Sequence, residues 1–115
     1  MKVVLKDKLA TFDEPWSPRI VADYNGNDVM VAKFRGEFRR HSHPDTDDFF
    51  LVLEGEVQLE VGGVEHVLGP GELFVVPAGV EHRPRSERGA SVLLIEPAGT
   101  PNTGDVATAV HKPRI

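Results

Sequence analysis

Eleven glycines and nine prolines divide this 115-residue chain into short apolar pieces. That punctuation constrains the fold more than any other feature. Helices need longer uninterrupted stretches, whereas short strands joined by tight turns need breaks of this kind. Asn25-Gly26, inside "RIVADYNGNDVMVAKFRG", is the strongest hairpin signal. Further on, Val57, Leu59 and Val61 alternate with Glu56, Gln58 and Glu60, the pattern of a strand with one wet face. Gly62-Gly63 then turns the chain and "VEHVL" pairs back. A strand is expected from Glu72 to Val76, a turn over Pro77–Gly79, another strand around His82, and a last apolar strand, "ASVLLIEP", stopped by Pro97. No window of helical length shows a 3.6-residue period. The expectation is an all-β domain closed as a barrel or a double-sheet jelly roll.

The length suits one domain, with its core over about 20–97 and a polar, turn-rich tail over about 98–115, lying on the surface or across a neighbour. Phe49, Leu51 and Leu53 point to one side of their strand, and Phe50 and Val52 to the other. Both faces are apolar, so both call for cover. A single small core covers one of them. A partner sheet or a second subunit is expected on the other, and a homodimer is the preferred reading.

Composition excludes several classes of function. With 13 Lys and Arg against 18 Asp and Glu, the net charge of −5 is wrong for sequence-independent binding to nucleic acid or anionic membrane. The absence of cysteine removes disulfides, zinc–thiolate sites and cysteine nucleophiles. No apolar run suits a signal peptide or a membrane span, so a cytoplasmic protein with a small-molecule ligand is expected.

The chemistry gathers in "HSHPDTDDFF". His41 and His43 are two residues apart, which on a strand places both rings on one face. Pro44 interrupts pairing, and the strand resumes near Asp48. Asp48 shares a face with Phe50 and Val52, and Asp47 with Phe49, Leu51 and Leu53. Only one of these acids can meet the histidines, and parity alone does not choose. His82 follows the Pro77–Gly79 turn and can present a third ring from across a barrel. Three histidines with one carboxylate would bind a divalent transition metal and leave positions for substrate. Arg39 has the parity of His41 and His43, so it can reach into the mouth and hold an anion; a solvated arginine is the simpler alternative. His66 and His111 read as surface residues.

These residues resemble the two motifs of the cupin family. Gly36, His41, His43, Asp48 and Gly55 match the first motif, and Gly71, Pro77, Gly79 and His82 the second. The flanks "FDEPWSPRIVADYNGNDVMVAKFRGEF" and "LLIEPAGTPNTGD" resemble the ends of small one-domain bacterial cupins of the conserved-barrel or mannose-6-phosphate isomerase-like group. The resemblance implies a single cupin-type double-stranded β-helix, or jelly-roll, barrel. It also implies a metal bound inside by His41, His43, Asp48 and His82: manganese, iron, nickel, cobalt, zinc or copper. It selects Asp48 over Asp47. Three departures stand out: the Gly36–His41 spacing is one residue short, Ser86 replaces the asparagine that often closes the second motif, and Asp48 replaces the usual glutamate. The implied function is a metal-dependent isomerase or dioxygenase acting on a small molecule. The alternative is a non-catalytic binder of a sugar-like ligand with a structural or vestigial metal site.

Overall fold

A computed structural model describes residues 1–115. Seven strands form the body: β1 (Arg19–Tyr24), β2 (Asn27–Glu37), β3 (Asp48–Gly55), β4 (Val57–Val61), β5 (Val64–Leu68), β6 (Leu73–Val76) and β7 (His82–Pro97). One five-residue helix, α1 (Leu5–Leu9), precedes them. The two predicted two-residue hairpins are present. Asn25 and Gly26 have φ of 49° and 78°, and Gly62 and Gly63 have 55° and 83°. Two positive φ values in succession match the right-handed twist of the flanking strands.

The strand order is β1-β2-β7-β3-β6, and the β4–β5 hairpin joins through β7. All pairings of these strands are antiparallel. β7 is therefore the spine. It pairs with β2 on one side; on the other, its first residues pair with β4 and its last with β3. The sequence suggests two strands here, one around His82 and one from Ala90. They are a single 16-residue strand. Gly89, with φ of 94°, bends the chain rather than reversing it, and the register shifts where β2 and β3 pass this bend. Gly55 lies against the bend. Its φ is 82°, and a Cβ there would run into the Gly89 carbonyl and Ala90 Cα, so only glycine fits.

Inward residues of β2, β3, β4 and β7 build the main core around Ala32, Phe34, Phe50, Val52, Leu59 and Val92. The second apolar face of β3 is half-buried rather than fully covered. Part of its cover comes from the chain itself. Leu53 and Leu93 pack in a smaller cluster with Val31 of β2 and with Leu5, Leu9, Phe12 and Ile115, drawn from both ends of the chain. Leu73 and Val75 of the edge strand β6 remain exposed beside Leu51 and Phe49. The C-terminal tail also folds onto its own barrel. Ile20 N–H donates to Pro113 O (2.8 Å), and Ile115 N–H donates to Ile20 O (2.9 Å). Before these anchors the tail crosses the mouth, where Gly104, at φ 75°, rests on the Ser42 carbonyl and leaves no room for a Cβ. No helix is long and apolar enough to cross a membrane.

Candidate metal centre

The two histidine-bearing segments are joined through their backbones. His41 N–H donates to His82 O (2.9 Å), and His82 N–H donates to His41 O (2.8 Å). The Pro77–Gly79 turn docks on the same segment, with Gly79 N–H donating to His43 O (2.8 Å). Asp47 is exposed, yet it is not merely solvated: its Oδ1 accepts the Ala78 N–H (2.9 Å), which ties the turn to the start of β3. Parity then sends Asp48 inward with Phe50 and Val52.

The result is a buried cluster of His41, His43, Asp48 and His82, each offering one ligand atom, all within 4.8 Å of one another. This cluster can hold a metal ion. The His41 and His82 rings are 4.4 Å apart between centroids, and His41 and His43 are 5.0 Å apart. Asp48, one methylene shorter than glutamate, still reaches: its Oδ2 is 2.8 Å from His82 Nε2 and 3.2 Å from His43 Nε2.

Proton positions supply a test of fit. His41 Nδ1 faces Arg39 O, and His82 Nδ1 faces Val80 O, each at 2.9 Å. A carbonyl only accepts, so both Nδ1 atoms carry the hydrogen. In the neutral rings each Nε2 is then a lone pair. Backbone carbonyls holding Nδ1–H in this way orient histidines for a metal. But a neutral His82 also aims an acceptor at the acceptor Oδ2 of Asp48, a repulsive contact in a buried site. A cation between them, either a proton or a metal ion, removes the conflict. His43 Nδ1 is buried without a partner.

The pKa directions agree. Burial, together with the charges of His82 and His43, pushes His41 down to about 4, so it stays neutral at ordinary pH. Burial by itself would raise the Asp48 carboxyl, but hydrogen bonds from His43 and His82 outweigh it and hold the group down at about 2. Burial likewise opposes protonation of His43, and the Asp48 carboxylate overrides it and raises that ring.

His41, His43 and Asp48 line a pocket with an empty volume of ≈ 430 Å³ including its mouth, and His82 lies behind them. Its wall is aromatic. Trp16 stacks on Phe34 (4.5 Å between centroids) and leans on Phe38 (5.0 Å), and Phe38 meets His41 edge-on at 5.3 Å. Trp16 is fixed by its indole N–H, which donates to Arg35 O (2.8 Å). Arg39 is exposed and lies outside the lining; it serves the site only through its carbonyl. His66 leans on Phe74 and His111 is exposed on the tail, both away from the cluster. Ser86 is buried and donates to Glu56 O (2.6 Å), a link between β7 and the β3–β4 junction.

Glu96 and Asn102 also line the pocket and were not singled out by sequence reasoning. A signal for Glu96 was present: it has the inward parity of Val92 and Leu94 on an apolar strand. Asn102 gave none, because its place depends on the tail folding back.

The cupin-domain family model matches residues 28–96, a span that runs from β2 to nearly the end of β7 and includes all four clustered residues. The chain belongs to the cupin family. A cupin-2 domain containing protein from Shewanella frigidimarina has a solved structure that superposes with a TM-score of 0.81. It is 38% identical and covers 83% of this chain and 93% of its own. An uncharacterized protein of Bacillus subtilis is 36% identical over 83 residues, 71% of this cupin and 67% of the relative. Quercetin 2,3-dioxygenase of Bacillus subtilis is 33% identical over 60 residues, 51% of this cupin and 18% of that enzyme. The match to the dioxygenase is thus a match to one part of a much longer chain.

Proposed function

We propose that this cupin is a metal-dependent enzyme acting on a small molecule, with dioxygenase- or isomerase-type chemistry. The observation that carries the reading is the buried cluster of three imidazoles and one carboxylate, whose ligand atoms all lie within 4.8 Å of one another. Three imidazoles and one carboxylate suit manganese, iron, nickel, cobalt, zinc or copper. Such an ion, when bound, supplies Lewis-acid or redox chemistry to a ligand oxygen. The protein's own residues do the rest. His41 and His82 are held in one tautomer by Arg39 O and Val80 O. Phe50 packs edge-on against His82, with centroids 5.9 Å apart. The Trp16–Phe34–Phe38 wall excludes water and aligns a flat ligand. The partial match to quercetin 2,3-dioxygenase supports the dioxygenase arm of the reading.

The test is elemental analysis of protein purified without a metal-affinity tag. One equivalent of a transition metal per chain is expected, either as purified or after loading with each candidate ion and desalting. A chain that retains none of them is not a metalloenzyme.

A further inference from the structure

The tail from Gly99 to Lys112 crosses the pocket mouth as a self-contained loop. Its flanks are tied to the barrel: Ala98 N–H donates to Gly26 O (3.0 Å), and Ile20 N–H donates to Pro113 O (2.8 Å). Between those ties its backbone bonds only locally. Thr100, Gly104 and Thr108 N–H donate to Pro97, Pro101 and Asp105 O. Asn102 Oδ1 accepts the Val110 N–H (3.0 Å). Thr103 is buried inside the loop, with its hydroxyl on Thr108 Oγ1 (2.8 Å) and Asp105 O (2.9 Å). A loop bonded to itself in this way can move as one piece.

Little apolar packing holds this piece down. Val106 and Val110 are exposed rather than pressed against the barrel. Open spaces of ≈ 690 Å³ and ≈ 600 Å³, counting their mouths, lie beside it, one against His43, Pro44 and Thr46 and the other against Ile20 and Asp28. Two contacts seat it. Gly104 lies on the Ser42 carbonyl, where a Cβ would fall 2.0 Å from the oxygen. Lys112 donates to Glu96, the one hydrogen bond from the loop to a barrel side chain, and the same ammonium donates back to Thr100 O. Glu96 belongs to a row of buried carboxylates. It pairs with Asp28 of β2, and the pairing of Phe49 with Ile95 sets Asp48 beside it on β3. Lys112 inserts an ammonium into that row. Burying both charges costs much of what their attraction gains, so the pair fixes where the loop rests without locking it there. Few buried apolar contacts and one ionic tie mark a segment of low local stability.

We propose that residues 99–112 are a strap that opens from the pocket mouth as one unit, latched by Lys112 on Glu96, and that ions and ligands reach His41, His43 and Asp48 through the opened form. When the strap is shut, its Asn102 lines the pocket beside them. Closure of this kind sequesters a bound ligand from water, and opening sets the rate of entry and release. The gating rests on the metal-site reading above, whereas the opening itself does not.

Two measurements test the strap. The first is amide hydrogen exchange of the metal-free chain, followed residue by residue. The Gly104, Thr108 and Val110 amides are expected to share one protection factor, lower than that of the β2–β7 amides. Gly104→Ala forces a Cβ toward the Ser42 carbonyl at a left-handed φ, and should speed all three at least about tenfold while the β2–β7 amides keep their rates. Lys112→Met leaves Glu96 without its partner when the strap is shut, keeps the Ser42 contact, and should act in the same direction. Strap amides that exchange one by one, without protection, or only together with the whole barrel overturn the proposal. So do unchanged rates in both variants. The second measurement is the rate of cobalt(II) uptake, read from its visible absorbance. Gly104→Ala should raise that rate by the same factor as the exchange and leave one equivalent bound. Faster exchange with an unchanged uptake rate overturns the gating. A chain that takes up no cobalt ends the metal-site reading and the gating with it, and the exchange rates still decide whether the strap opens.

Discussion

Asp48 and Glu96 stand on adjacent strands, β3 and β7, and face one pocket, at 7% and 6% exposure. Burial pushes both carboxyls toward the neutral form. At Asp48 the hydrogen bonds and charges of His43 and His82 win, and the group is held down at about 2. At Glu96 burial wins over Lys112, the Asp48 charge adds to it, and the carboxyl is raised. The difference lies in the donors. Asp48 Oδ2 is approached by two ring nitrogens, whereas Glu96 has one ammonium on one oxygen. Equal burial therefore yields a firmly ionised, ligand-like carboxylate on β3 and an acceptor short of donors beside it on β7.

The linkage signs are opposite. Asp48, with its folded pKa below 3.8, adds stability above that value and loses it as pH falls toward about 2. Glu96, with its folded pKa above 4.5, contributes most below 4.5, and that contribution is lost as pH rises through the folded pKa.

Metal content should separate the two carboxylates most sharply. His82→Ala is expected to lose the bound ion, at least about a hundredfold in affinity, while Glu96→Gln keeps one equivalent. Loss in both variants by elemental analysis would mean that Glu96 belongs to the metal site. The next effect is on stability. Lys112→Met strands Glu96 and should cost about 3 kcal/mol near neutral pH in urea unfolding, because an uncompensated buried charge is left behind. The deficit should shrink in mildly acidic buffer as Glu96 takes a proton; a deficit independent of pH would show that the lysine acts through packing instead. The smallest effect concerns acid unfolding of metal-free protein. The unmodified chain should lose about 2 kcal/mol between 3.8 and about 2, from roughly 1.4 kcal/mol per pKa unit, and Asp48→Asn should lack this loss. Identical acid profiles would place the stabilising charge elsewhere.

Much of the candidate metal site was legible in the sequence because its signals are local. The hairpins at Asn25-Gly26 and Gly62-Gly63 follow from turn chemistry, and the burial of Asp48 with Phe50 and Val52 from period-two alternation. The choice of Asp48 over Asp47 needed the family register, since parity does not say which face meets the histidines. The fate of Gly89 was not legible, because bend and reversal begin with the same positive φ, and only the continuous β2 pairing distinguishes them.

The amino-acid sequence by itself determined the strand-rich architecture, the barrel class and the candidate set His41, His43, Asp48 and His82. These rest on residue spacing along short segments, where geometry repeats every two residues. Tertiary structure alone decided that Asp48 reaches His43 and His82, that Arg39 stays outside, and that a tail anchored at Ile20 carries Asn102 to the pocket and Lys112 to Glu96. Those contacts join residues far apart in the chain, and no local period encodes where a tail of turns comes to rest.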